Sequence, residues 1–288
     1  MTPFMVMIPA RYGASRLPGK PLLPLAGRPL IEHVWRTAVK SGADRVVIAT
    51  DHPDIAETAR GFGAEVCMTA EDHPSGTARL AEVATRLEIP DQDVIVNLQG
   101  DEPMMPPALL AQVADVLESC ANAAIGTLAT PIVDSDELHD PHAVKVVTTH
   151  EGAALYFSRA PIPWEREGDR SAQTAVALRH LGIYAYRARF LRGYGSLPPS
   201  PLEQLEQLEQ LRILQAGKRI QVGVTDSLPG HGIDTRDDLL AAEALLAQRT
   251  SRPKTEAKLL GVNARPSRPA SWIVGFKALG CLALAIGI

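Results

Sequence analysis

Short apolar runs alternate with longer amphipathic stretches over residues 4–130. The runs at 4–8, 45–49, 94–98 and 125–130, with a shorter one at 65–67, predict strands. Between them, apolar positions recurring at three- and four-residue intervals predict helices over about 29–40, 53–62, 76–88 and 106–119. Strands and helices alternating at this spacing make βαβ units, so the pattern predicts an α/β fold built on a parallel sheet. Such sheets bind their ligands at the carboxyl ends of the strands. Three of the predicted strands run there into unusual polar sequences: IPARYGASRLPGK, IATDH and NLQGDEP.

Beyond residue 130 the pattern changes. Runs at 144–148, 154–157 and 180–186 predict strands with no long helix between them, which implies an antiparallel extension or lobe. Ser200, Pro201 and Glu203 then supply an N-cap, a first-turn proline and an acid three residues on, so a helix begins there and reads LEQLEQLEQLRIL. Its leucines at 202, 205, 208 and 211 recur every three residues and drift around the helix, predicting a broad packed face and not a coiled-coil seam. A strand at 220–224 and a helix at about 236–248 follow, with Asp234 in the turn GHGIDT between them.

Composition narrows the class. With 288 residues, 45% hydrophobic and 22% charged, the chain can bury a real core, which excludes a disordered or collagenous protein. The net charge of −4 divides unevenly: residues 249–288 carry +6 and the preceding 248 carry −10. A body that acidic has no general affinity for nucleic acid, so any phosphate it binds must be held by a few placed cations. Cys67, Cys120 and Cys281 are odd in number and widely spaced, matching neither a disulfide framework nor a zinc site, and predict a cytoplasmic protein.

Those placed cations are at hand. Arg11, Arg16 and Lys20, with Gly13 and Gly19, follow the first predicted strand, where glycines let backbone N–H groups approach phosphate oxygens and the cations neutralise a polyphosphate. The loop lacks the GxxxxGK[ST] of a Walker sequence. Asp101 ends NLQGD and Asp234 ends GHGID; a carboxylate at such a place either holds Mg²⁺ or caps the following turn or helix, and each residue alone is open to both readings. Ser75, Gly76 and Arg79 open a helix in HPSGTAR, where Ser75 is either a nucleotide contact or a plain N-cap. Arg159 and the segment RHLGIY, with His180, place cationic and hydrogen-bonding groups where a second, anionic ligand can lie; His180 is otherwise an ordinary half-buried histidine.

Taken in order, IPARYGASRLPGKPL, VIATDH, EVCMT, HPSGTARL, VNLQGDEP, AVKVV, ALYFSRAPIPW, RHLGIYAY, SPLEQLEQLEQLR and GIDT resemble the 3-deoxy-manno-octulosonate (Kdo) cytidylyltransferases over about residues 4–248. The resemblance implies a Rossmann-like nucleotidyltransferase fold with a mostly parallel sheet and a smaller antiparallel lobe for substrate and dimerisation. It also implies a homodimer that makes CMP-Kdo and diphosphate from CTP and Kdo with Mg²⁺, for lipopolysaccharide synthesis. Carried over by position, Arg11, Arg16 and Lys20 embrace the CTP phosphates, Lys20 also serving in catalysis, and Ala10, Ser75, Gly76, Arg79 and Gly100 line the nucleotide. Asp101 and Asp234 hold the metal. Gln99, Arg159, His180, Tyr184, Glu209 and Gln210 contact Kdo. The chain departs from the family at Ala78, where the SGT[DE]R motif has an acid; if that acid orients Arg79, the arginine is held less firmly here. Two rivals remain: activation of another acid sugar, such as sialic acid or an amino-sugar analogue of Kdo, and a module that senses a nucleotide without turning it over.

The resemblance stops after Thr250. Residues 249–271 are basic and contain three prolines, the composition of a linker. Residues 272–288, WIVGFKALGCLALAIGI, are apolar but short for a span of about 20 residues, and they contain Lys277. Weak membrane association helped by the basic linker is one reading; docking on the body or on a dimer partner, or an extension with no role, is the other.

Overall fold

The structure, a computed structural model, describes residues 2–13, 17–168, 170–230 and 232–251. Residues Met1–Gln248 form one compact unit. The tail at 272–288, and the linker apart from the last helical residues to Ser251, lie outside the described part.

The N-terminal βαβ pattern is realised closely. Strands β1 (Met5–Ala10), β4 (Arg45–Thr50), β5 (Glu65–Met68), β6 (Val94–Asn97) and β7 (Ile125–Pro131) alternate with α1 (Leu30–Lys40), α2 (Pro53–Gly61), α3 (Gly76–Arg86) and α4 (Pro107–Glu118). The hairpin pair β2 (Pro24–Leu25) and β3 (Arg28–Pro29) precedes α1. Then come α5 (Ser135–His139), β8 (Lys145–Thr148), β9 (Ala154–Ser158), α6 (Arg170–Val176), β10 (Leu178–Arg187), α7 (Ala188–Gly193), α8 (Pro201–Glu206), α9 (Glu209–Gln215), β11 (Ile220–Val224) and α10 (Arg236–Ser251).

The main sheet runs β11-β7-β10-β6-β1-β4-β5. β1 pairs in parallel with both β4 and β6, while β10 enters antiparallel between β6 and β7. The antiparallel strands foreseen after residue 130 belong to this same sheet, since β8 pairs with β10 and with β9. All six residues of β1 are buried, and their alternation serves two cores. Val6 and Ile8 pack with Ile31, Val34 and Leu109 on one face; Met5 and Met7 pack with Leu80, Leu191 and Leu211 on the other. Leaving β1, the chain first builds outward through β4 and β5 and then returns to β1's other side at β6. The crevice above β1 and β6 is therefore a topological switch point, where open α/β sheets bind ligands.

The helix expected from Pro201 onward is two helices. Ser200 Oγ does accept the Glu203 N–H at 3.0 Å, as the capping pattern predicts. Gln207 then turns left-handed at φ 54°, Leu208 is extended, and α9 starts afresh at Glu209. Leucines at a three-residue interval cannot all face one core on a helix of 3.6 residues per turn, and the break resolves the conflict. It buries Leu208 and Leu211 and leaves Leu205 83% exposed, so Leu205 does not join the packed face expected for it.

Candidate active site

The ends of β1 and β6 approach so closely that only glycine fits: a Cβ on Gly100 would lie 2.7 Å from the carbonyl oxygen of Pro9. Gly76, at the start of α3, is nearly as tight, its Cβ position 3.2 Å from the Pro9 ring and 3.4 Å from Gln99 Oε1. Three segments distant in sequence thus meet at the switch point. Above them opens a cleft of ≈ 400 Å³. From the β1 end it is lined by Ala10, Arg11 and Lys20; from α3 by Ser75, Gly76 and Arg79; from β6 by Gln99, Gly100 and Asp101. Glu209 and Asp234 also line it.

Lys20 organises one wall. Its ammonium donates to Asp101 Oδ2 at 2.7 Å, to the Ile233 carbonyl at 2.8 Å and to Asp234 Oδ1 at 3.1 Å, so all three of its donors are used. Backbone pairing brings the two aspartates together, because Ile233 N–H donates to the Asp101 carbonyl at 2.9 Å. Ile233 is itself buried with Leu25, Leu30 and Ala242, which pins the Asp234 turn between the hairpin and α10. Asp234 is not the cap of α10: Thr235 Oγ1 accepts the Asp238 N–H while Asp238 accepts the Thr235 N–H, a reciprocal capping box. Beside this pair, burial and the neighbouring Asp101 push the Glu102 carboxyl up to about 7.

Ser75 both lines the cleft and caps α3, its Oγ accepting the Ala78 N–H at 3.3 Å, so the two sequence readings of this serine are compatible. Arg79 is 3% exposed and firmly held despite Ala78: it donates to Asp51 Oδ2 at 2.7 Å, to the Ala70 carbonyl at 3.1 Å and to Thr69 Oγ1. The carboxylate that pairs with Arg79 here is Asp51, from β4's end.

The residues expected to contact Kdo divide. Gln99 and Glu209 reach the cleft; Glu209 Oε2 accepts from Thr77 Oγ1 at 3.1 Å and from the Tyr194 hydroxyl at 3.3 Å. His180, Tyr184 and Gln210 lie outside its lining. His180 and Tyr184 flank a bulge in β10, stitched by Thr127 Oγ1, which contacts His180 Nε2 at 2.9 Å and donates to the Ile183 carbonyl at 2.8 Å. Burial holds the His180 imidazole down at about 3 and raises the Tyr184 phenol. Gln210 is buried. Arg159 is strapped to other backbone, its Nε donating to the Glu206 carbonyl at 2.7 Å and Nη1 to the Pro141 carbonyl at 2.8 Å. Arg16 lies outside the described residues.

Sequence reasoning passed over Asp51 and His73. His73 lines the cleft, and its Nε2 lies 2.5 Å from Glu82 Oε2. Both residues sit in polar segments that were already conspicuous, IATDH and HPSGTAR, but pairing across the chain is what gives them a task.

An open α/β sheet whose switch-point crevice is ringed by cations, tight glycines and a cation-bridged carboxylate pair defines a nucleotidyltransferase. A family model described as cytidylyltransferase matches residues 5–220, and the chain belongs to that family, among the 3-deoxy-manno-octulosonate cytidylyltransferases. It is 58% identical over 243 residues to the 3-deoxy-manno-octulosonate cytidylyltransferase of Halorhodospira halophila, covering 83% of this chain and 95% of that one. The protein of the same name from Yersinia pseudotuberculosis serotype O:1b is 52% identical over 246 residues, covering 84% and 98%. Among solved structures, a CMP:2-keto-3-deoxy-manno-octonic acid synthetase complexed with CTP superposes with a TM-score of 0.79 at 42% identity, covering 86% of this chain and all of that one.

Proposed function

We propose that the chain transfers the cytidylyl group of CTP to Kdo, giving CMP-Kdo and diphosphate. The observation that carries this reading is the cleft at the β1/β6 crevice, where Arg11 and Lys20 face Asp101 and Asp234 within an otherwise acidic body. The reaction is an in-line attack of the anomeric 2-hydroxyl of Kdo on the α-phosphorus; the O–P bond to the sugar forms, the bond to the β-phosphate bridge breaks, and the hydroxyl proton is lost to solvent. The protein contributes position and charge and needs no nucleophile of its own. Arg11 neutralises the polyphosphate, joined by Lys20 when a phosphate oxygen replaces one of its present acceptors, Gly76 and Gly100 let backbone approach it, and Glu209 offers a hydrogen-bond acceptor to the sugar.

The carboxylate pair suits Mg²⁺, which takes one or two protein carboxylates and completes its octahedron with phosphate oxygens and water. Asp101 and Asp234 both lie within reach of one ammonium, and among the described residues no cluster of three or more acidic, histidine or cysteine side chains offers a fuller cage. Held there, the ion would supply positive charge at the phosphates and acidify a bound hydroxyl. The rest of the reading is a cytoplasmic homodimer feeding lipopolysaccharide synthesis.

The test is diphosphate release from CTP with and without Kdo. Release is expected only with both present and lost in Asp101→Asn. Release with sialic acid or an amino-sugar analogue in preference to Kdo would reassign the sugar, and CTP binding without release would make the chain a nucleotide sensor.

A further inference from the structure

The basic loop after β1 and the start of α3 are far apart in sequence, and one carboxylate touches both. Asp51 follows β4 directly. Its Oδ2 accepts from Arg79 Nη2 at 2.7 Å and its Oδ1 from the Tyr12 N–H at 3.3 Å. The Arg79 and Asp51 side chains are only 3% and 9% exposed, so the pair is withdrawn from water and its geometry is fixed. Thr69 Oγ1 and the Ala70 carbonyl occupy Arg79 Nη1, leaving Asp51 as the sole carboxylate paired with it among the described residues.

On the other side, Tyr12 is where the loop closes on itself. Its carbonyl accepts the Gly19 N–H at 3.0 Å, and its ring lies 3.5 Å from where a Cβ on Gly19 would stand, with Gly19 at φ +68°. The same ring stacks on His52, centroid to centroid 3.9 Å at 15°, next in sequence to Asp51. Arg11 and Lys20, the cleft-lining cations, flank this closure immediately on either side. Asp51 does not line the cleft.

We propose that Asp51 is a positioning residue for the nucleotide: by holding the Tyr12 junction and Arg79 on its two oxygens, it fixes the phosphate-facing cations against the start of α3 without touching the nucleotide. The inference rests on reading the cleft as the CTP site. A carboxylate is required because an amide can accept on one oxygen only and carries no charge to match a guanidinium out of water.

The experiment compares wild type with Asp51→Asn. Steady-state kinetics are measured separately in CTP and Kdo, and loop order is read by limited trypsin cleavage after Arg11 and Arg16 without nucleotide. The expected result is a KM for CTP raised tenfold or more, a KM for Kdo within twofold of wild type, and loop cleavage at least fivefold faster. A folded variant with an unchanged KM for CTP, or with both KM values raised equally, overturns the proposal. If Asp51→Asn does not fold, the same substitution is made in Arg79→Met, where no buried cation is left unpaired; faster loop cleavage than in Arg79→Met alone supports the proposal and an unchanged rate overturns it. A wild-type protein that releases no diphosphate from CTP and Kdo would sink the reading of the cleft instead, which the trypsin comparison does not depend on.

Discussion

Lys145 has an unusual environment for a lysine: it is fully buried, and its ammonium donates only to backbone, to the carbonyls of Asp140 at 2.8 Å, Ala143 at 2.5 Å and Arg159 at 2.7 Å. Burial lowers its pKa, and the three carbonyls keep the charge solvated from within. It thus ties the loop before β8 to the residue that follows β9. Lys145→Met keeps the length and removes three acceptors' partner at once; a loss of about 2–4 kcal/mol in urea unfolding is expected. His180 makes the opposite demand, since the folded protein keeps its ring neutral down to about pH 3 while an unfolded chain protonates it near 6.5. Below pH 6.5 the unfolded state binds the extra proton, so this group's stabilisation at neutral pH is lost as the pH falls from 6.5 toward 3. His180→Gln is expected to flatten that limb, by about 3 kcal/mol at pH 4, when unfolding free energies are compared across the range. Both residues stood in recognisable segments, but neither environment could be read from them. Burial and partner carbonyls are properties of the packed chain.

At the level of elements, periodicity was a good guide where a segment packs on one surface and a poor one where it serves two. Helices α1 to α4 each lay one face on the sheet, and their predicted ranges differ from the observed ones by no more than two residues at either end. The LEQ repeat has helical propensity throughout, yet Glu206 is drawn to Ser158 Oγ at 2.7 Å and to the Arg159 N–H at 2.8 Å, while Glu209 is drawn to Thr77 across the cleft. One straight helix cannot satisfy both, and the chain turns at Gln207. The glycine contacts were likewise visible only as residue type. Gly100→Ala puts a methyl against the Pro9 carbonyl, a backbone atom that cannot swing aside. The expected effect is a loss of about 1–3 kcal/mol in stability and a fall of roughly ten- to a hundredfold in kcat/KM for CTP, measured by diphosphate release.

For the whole molecule, charge distribution and oligomeric state are the open levers. The −10 of residues 1–248 sets an unfavourable background for a triphosphate, against which a handful of local cations must act. This much was legible from counting, the placement of the ligand at the carboxyl ends of the strands was legible from the βαβ pattern, and the family resemblance supplied most of the cleft-lining residues but not His73 or Leu17. What counting missed was the internal counter-charge: Lys20 faces two carboxylates and Arg79 faces Asp51. The proposed homodimer predicts a particle of about twice the 30.9 kDa chain mass in light scattering, and a particle of single-chain mass would remove that part of the proposal.

The central place of β1 also bears on how the chain is made. The first strand to leave the ribosome gains one parallel neighbour when β4 is complete at Thr50, but its other edge waits for β6, which ends at Asn97. The outer edge of β6 in turn waits for β10, which ends at Arg187. At roughly 5–20 residues per second, the interval from β1 to β6 lasts about 4–17 s. Throughout it a wholly apolar strand has an unpaired edge, so the segment that later floors the active site is also the first part of the nascent chain exposed to chaperones and to mispairing.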